Sequence, residues 1–273
     1  MRSLRISAIS FLNTAPLMWD FEHEPSPELS NNFEVQYTVP SACARALQEG
    51  SADIGIVPVI TYAQIPDLVI IPDIAIAAKG PVRSILLISK VPIEQITTVA
   101  IDTSSRTSVA LTQVLLTNWF GGRREMFPME PKLGPMLERC DAALLIGDPA
   151  LMASTTGYYA YDLAEVWSQK TGKPFVFAFW AVRRAALQEM CAQLPLAKIF
   201  QRSRDHGLQR ENVRTTAEEW SSRLGLSRAS IESYLTESIH YYLDEDCTEG
   251  MKLYFHYAAE CGVIDRVPDF RLL

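Results

Sequence analysis

The chain has 273 residues, 48% of them hydrophobic and 21% charged, with a formal net charge of −7. This composition excludes disorder, and the acidic balance, with no Lys/Arg cluster interleaved with aromatics, excludes nucleic acid as the expected partner. An anionic ligand must therefore be captured by local donors rather than by the global field, and the length, at the upper end for one hydrophobic core, predicts two lobes.

The start, Met1-Arg2-Ser3-Leu4-Arg5-Ile6, leads from charge straight into a strand. It has neither the apolar core nor the small-residue cleavage site of a signal peptide, and no apolar run approaches the roughly twenty residues of a membrane span. A cytoplasmic location without membrane contact is expected. Short apolar runs predict strands over Leu4 to Ile9, Phe33 to Val39, Asp53 to Val57, Leu68 to Ile71, Ile74 to Ala77 and Ser84 to Ser89. Helical patterns fall between the first of them at Thr14 to Phe21, Pro40 to Glu49 and Val59 to Gln64. This βαβαβ alternation predicts a mostly parallel sheet with helices on its faces.

A second α/β unit follows, with strands near Val99 to Asp102, Glu125 to Met129 and Ala142 to Ile146 and helices near Thr107 to Phe120 and Pro131 to Arg139. The apolar stretch Pro174 to Ala181 is the natural return path, because only helices come after it. Two of these are long amphipathic candidates, Arg228 to Leu243 and Thr248 to Cys261. The predicted division is a discontinuous first lobe, residues 1–89 with 182–273, and a second lobe, residues 90–181. The ligand site is expected in the cleft, where loops at the carboxyl ends of strands from both lobes converge.

Cys43, Cys140, Cys191, Cys247 and Cys261 are odd in number and scattered, with no C-x-x-C pair, and are expected to be reduced packing residues. His23, His206, His240 and His256 show no spacing with a cysteine or carboxylate that reads as a metal site, so no metal is expected.

Five segments carry candidate chemistry. In Ser10-Phe11-Leu12-Asn13-Thr14-Ala15-Pro16, Asn13 and Thr14 close the first strand, either facing a ligand or capping the helix behind it. Pro58 sits at the carboxyl end of its strand, within reach of the cleft. In Gly80-Pro81-Val82-Arg83-Ser84 a turn presents the Ser84 hydroxyl and backbone N–H groups. Arg83 there suits a carboxylate, or alternatively a surface salt bridge. Asp102-Thr103-Ser104-Ser105-Arg106-Thr107-Ser108 joins a strand to a helix start, where unpaired N–H groups and the helix dipole favour an anion. A cap needs only Ser104 or Ser105, whereas five hydroxyls and an arginine fall within six residues. In Leu145-Ile146-Gly147-Asp148-Pro149, Gly147 permits close backbone approach, and Asp148 either caps a short helix or acts as acid or base.

Taken in order, these segments resemble the menaquinone-pathway family of chorismate dehydratases, which open the futalosine route. Asp53-Ile54-Gly55-Ile56-Val57-Pro58 and Tyr161-Asp162-Leu163 with Thr171-Gly172-Lys173-Pro174-Phe175-Val176-Phe177-Ala178 also match; Phe11 stands where many members carry tyrosine. The motifs span roughly residues 3 to 183, and the helical tail matches only in character. The resemblance implies a two-lobed α/β fold of the type II periplasmic-binding-protein kind, used as a cytoplasmic enzyme without metal or cofactor. It also implies loss of water from chorismate to give 3-[(1-carboxyvinyl)oxy]benzoate. The expected roles are Asn13, Ser84 and Asp148 in catalysis, the base being Asp148 or a carboxylate of the substrate. Ser10, Thr14, Pro58, Arg83, Thr103, Ser104, Ser105, Arg106, Thr107 and Gly147 are expected to bind the substrate. The sister enzyme acting on cyclic dehypoxanthine futalosine and a non-catalytic solute-binding protein are the rival readings, and association of like chains is compatible with the sequence.

Overall fold

The computed structural model describes residues 2–23, 25–102, 106–189 and 194–273. Its strands, in chain order, are β1 (Leu4–Ile9), β2 (Phe33–Thr38), β3 (Ile54–Pro58), β4 (Leu68–Ala78), β5 (Ile85–Ser89), β6 (Thr98–Ile101), β7 (Glu125–Pro128), β8 (Ala142–Ile146), β9 (Tyr159–Asp162) and β10 (Phe175–Arg183). They form two sheets, ordered β2-β1-β3-β10-β4 and β7-β6-β8-β5-β9.

Both sheets are mixed rather than mostly parallel in the simple sense predicted. β10 runs antiparallel to β3 and β4, and β5 runs antiparallel to β8 and β9, while β1 pairs in parallel with β2 and β3, and β6 with β7 and β8. Each antiparallel strand is the one that has just crossed between lobes. The division predicted at residues 89 and 181 therefore shifts. Ile85–Ser89 pairs inside the second sheet and Phe175–Arg183 inside the first. Runs that are apolar on both faces fit either sheet, so hydrophobic pattern alone does not assign them. Because β5 and β10 run against their neighbours, they begin at the edge where β1, β3, β6 and β8 end, and the cleft collects loops from both lobes.

Leu68 to Ile71 and Ile74 to Ala77, predicted as two strands, form the single strand β4. Asp73 adopts a left-handed φ of 64°, and the pairing with β10 shifts register twice. The predicted helix Arg228 to Leu243 is interrupted. It is α-helical over Arg228–Ser233, widens to a π-turn over Tyr234–Ser238, and then runs extended, so that His240 bridges Ala77 of β4. The open outer edge of β4 supplies the competing hydrogen bonds: His240 N–H donates to Ala77 C=O at 2.8 Å and Ala75 N–H to Tyr241 C=O at 3.1 Å. The strand β9 and the helix Leu163–Thr171, which the sequence analysis did not anticipate, are joined by Asp162, whose carboxylate caps the helix through Ala164 and Glu165.

The helix Glu245–Glu260 does not pack on the first lobe alone. Tyr254 and Tyr257 meet Trp167 of the second lobe edge to face, and Tyr257 also meets Trp119. A Cβ on Gly250 would lie 2.2 Å from the Pro174 carbonyl, so the helix sits directly on the backbone that returns to the first sheet. Cys43, Cys140, Cys247 and Cys261 are free and buried. Among the described residues no helix is long and apolar enough to cross a membrane.

Candidate active site

A narrow cavity of about 60 Å³ opens between the two sheets. Ile9, Phe11, Asn13 and Thr14 follow β1; Pro40 starts the helix after β2; and Pro58, Ile76, Phe177 and Ala178 come from β3, β4 and β10. The second lobe contributes Ser84 and Ile85 at the start of β5, Ser108 from the helix Arg106–Trp119, and Ile146 and Gly147 at the end of β8.

The first wall rests on the 3₁₀-helix Leu12–Met18, which has Phe11 at its N-cap and no side-chain cap. Asn13 and Thr14 therefore do not serve as caps. Thr14 is buried, its Oγ1 donating to Asn13 Oδ1 at 3.4 Å.

In the second wall, the Ser84 carbonyl accepts from Gly147 N–H at 2.7 Å. Gly147 has φ +58°, and a Cβ there would meet the Phe11 ring at 3.3 Å, so the two walls touch where only glycine fits without strain. The turn before Ser84 is pinned by Asp162, whose carboxylate accepts from the Val82 and Arg83 N–H groups. Burial pushes that carboxyl above its ordinary value against these bonds.

Ser84 has a partner in the segment predicted as one continuous helix, Arg228 to Leu243. Tyr234 Oη donates to Ser84 Oγ at 2.9 Å. Burial is the largest influence on Tyr234 and pushes its phenol well above the usual range, outweighing the bond to Ser84. Ser108 likewise lines the cavity beyond the set expected for binding. Partners at this distance in sequence leave no local signal; for Ser108 its place at the strand-to-helix turn was one.

Several expected residues point elsewhere. Arg83 is exposed, with a left-handed φ of 63°; its guanidinium lies 5.7 Å from the Tyr234 ring centroid and reaches the Ser230 carbonyl at 3.4 Å. Arg106 bonds to Gln64 Oε1 at 3.2 Å in a neighbouring depression that also holds Arg45 and Gln113. Thr107 is buried, accepting from Ile60 N–H at 3.3 Å. Ser10 is exposed and does not line the cavity. Asp148 is also absent from the lining: its carboxylate accepts from Leu12 N–H across the cleft at 3.4 Å, and burial raises its carboxyl above the ordinary value against that bond and the Arg223 charge. Long side chains at a turn have several partners within reach, and sequence does not choose among them. Thr103, Ser104 and Ser105 lie outside the described residues.

The fold also gathers His240, Asp244 and Cys247, whose ligand atoms lie within 4.8 Å of one another, a juxtaposition not foreseen from the spacing of the histidines. The Lys79 ammonium sits 2.7 Å from Asp244 Oδ2, where a cation would go, and His240 Nε2 lies 2.9 Å from the same oxygen. Asp244 also caps the helix Glu245–Glu260 through Cys247 N–H.

A cleft between two mixed sheets that exchange one strand each places the molecule in the periplasmic-binding-protein-like class of fold. The periplasmic aliphatic sulphonate binding protein of Escherichia coli shares it, with a TM-score of 0.67 at 16% identity, covering 100% of this chain and 94% of that one. Within that class, the chain belongs to the menaquinone biosynthesis family, whose model matches residues 4–260. It is 30% identical over 274 residues to the chorismate dehydratase of Thermus thermophilus, covering 93% of this chain and 94% of that protein. It is also 30% identical over 195 residues to the chorismate dehydratase of Campylobacter jejuni, covering 70% of this chain and 74% of that one.

Proposed function

We propose that this protein is a carbon–oxygen lyase that removes water from chorismate to give 3-[(1-carboxyvinyl)oxy]benzoate for menaquinone biosynthesis. The observation that carries the mechanism is the character of the cavity: neutral donors, Asn13, Ser84 and Ser108, stand among apolar walls, and no titratable side chain lines it among the described residues. The family membership and the dehydratase relatives support the same reading.

Chorismate's C3–H is vinylogous to the ring carboxylate, so its removal leaves charge that delocalises onto that carboxylate. Departure of the C4 hydroxyl then aromatises the ring, which drives the reaction. The protein's tasks are a fixed pose and donors that bind more strongly as charge builds, for which fixed hydroxyl and amide groups among apolar walls suffice. Asn13 and Ser84 are the donors in this reading, and Thr14, Pro58 and Gly147 shape the walls. With Asp148 bonded to Leu12 outside the lining, the base is a carboxylate of the substrate. The enolpyruvyl carboxylate, linked to C3 through the ether oxygen, reaches C3–H through a six-membered ring. The proton taken from C3 and the hydroxide leaving C4 together make the water released. The free thiols of four buried cysteines support a reducing, cytoplasmic setting.

Incubation with chorismate alone, followed by ultraviolet detection and mass analysis of the product, tests the reading. Formation of the enolpyruvyl benzoate is expected. Inertness toward chorismate together with conversion of cyclic dehypoxanthine futalosine to 1,4-dihydroxy-6-naphthoate would overturn it.

A further inference from the structure

Tyr234 reaches Ser84 from behind the cavity wall, and it comes from the helical tail, not from a strand-end loop of either sheet. It is 2% exposed, and it stands at the first position of the π-turn Tyr234–Ser238, where the wider turn ends the helix begun at Arg228. A single π-turn inside a helical segment is often found at a functional site. The phenol meets a residue that faces the cavity, Ser84.

The direction of this hydrogen bond follows from chemistry. A buried phenol stays protonated, and it is a stronger acid than an aliphatic hydroxyl, so Tyr234 donates and Ser84 Oγ accepts. A serine hydroxyl carries one proton. With its oxygen engaged by Tyr234, that proton is left to point toward the cavity, and its donor strength rises because hydrogen bonds in a chain polarise one another.

We propose that Tyr234 is a positioning residue for the dehydration, fixing Ser84 as a donor toward the substrate through the Tyr234–Ser84 hydrogen bond. This rests on the dehydratase reading and adds a residue to it. The same segment supplies a matched control. Tyr241 is also 2% exposed, and its hydroxyl has no hydrogen-bond partner among the described residues.

The test compares Tyr234→Phe with Tyr241→Phe, each a loss of one buried hydroxyl, in the wild-type and Ser84→Ala backgrounds. With chorismate, Tyr234→Phe is expected to lower kcat roughly tenfold, the worth of one hydrogen bond, with KM changed by less than about twofold. Tyr241→Phe is expected to leave both unchanged. In the Ser84→Ala background, Tyr234→Phe is expected to have no further effect, because the group it acts through is gone. Wild-type kcat in Tyr234→Phe, or the same tenfold loss with Ser84 already removed, would overturn the proposal alone. Loss of cooperative melting in Tyr234→Phe but not in Tyr241→Phe would also overturn it, by making the hydroxyl a folding group. A wild-type protein inert toward chorismate overturns the dehydratase reading and this proposal together.

Discussion

Two polar clusters flank the end of β4, and the segment from Tyr234 to Cys247 helps build both. One gathers Asn13, Ser84 and Tyr234; the other gathers Lys79, His240, Asp244 and Cys247. The second is closed on itself. Asp244 accepts from Lys79, from His240 and from the Cys247 N–H, so its charge is matched and its lone pairs are used. The first faces unfilled space, and its serine retains a proton to give. Convergence of polar side chains is thus not what separates a ligand site from a structural knot. The difference lies in whether donors remain after the internal hydrogen bonds have been counted.

Replacing members of the open cluster should produce the largest effects. Ser84→Ala and Asn13→Ala are each expected to lower kcat for chorismate by roughly a hundredfold or more, the usual cost of one donor to developing negative charge; Asn13→Ala should change chemical denaturation little, whereas Ser84→Ala leaves the buried Tyr234 hydroxyl unpaired and should also cost about 1 kcal/mol or more in unfolding free energy. Near-normal turnover in both variants would erase the distinction drawn between the clusters. Gly147→Ala comes next. The left-handed backbone costs an alanine about 1 kcal/mol, and the methyl meets the Phe11 ring. Since Gly147 N–H holds the Ser84 carbonyl, kcat should fall roughly tenfold as Ser84 shifts. A stability loss without a rate loss would show that the contact between walls is structural only.

In the closed cluster the effects move to stability. Asp244→Ala removes a helix N-cap and the partner of Lys79, and is expected to cost about 1 kcal/mol in unfolding free energy while kcat stays normal. The pH dependence sharpens this. Burial alone would raise the Asp244 carboxyl, but Lys79, the Cys247 N–H and His240 hold it well below the usual carboxylate range. A depressed folded-state value means that the stabilisation is complete above the unfolded value of about 3.9 and is lost as pH falls toward the folded one. Asp244→Asn should therefore flatten the acid limb of a stability–pH curve below about pH 4, and an unchanged limb would count against the pairing. The smallest effect is expected from a chelator. Turnover should be unchanged in its presence, whereas loss of activity restored by a divalent ion would turn the closed cluster into a metal site and invert the comparison.

Much of this was legible in the chain itself, because local rules act over a few residues. Apolar runs marked β1, β3, β8 and β10, and turn chemistry brought Asn13, Thr14, Ser84 and Gly147 to strand ends, where the cavity forms. Separations in sequence of 150 residues, as between Ser84 and Tyr234, leave no such trace. Only the tertiary structure decided that β5 and β10 exchange sheets, since a strand apolar on both faces is equally at home in either. It likewise decided that Arg83 and Arg106 turn from the cavity, because a long flexible side chain takes whichever carbonyl, ring or amide the packing brings within reach. It decided, too, that the tail breaks into a π-turn at Tyr234, where pairing of His240 with the open edge of β4 prevailed over the helical periodicity of the sequence.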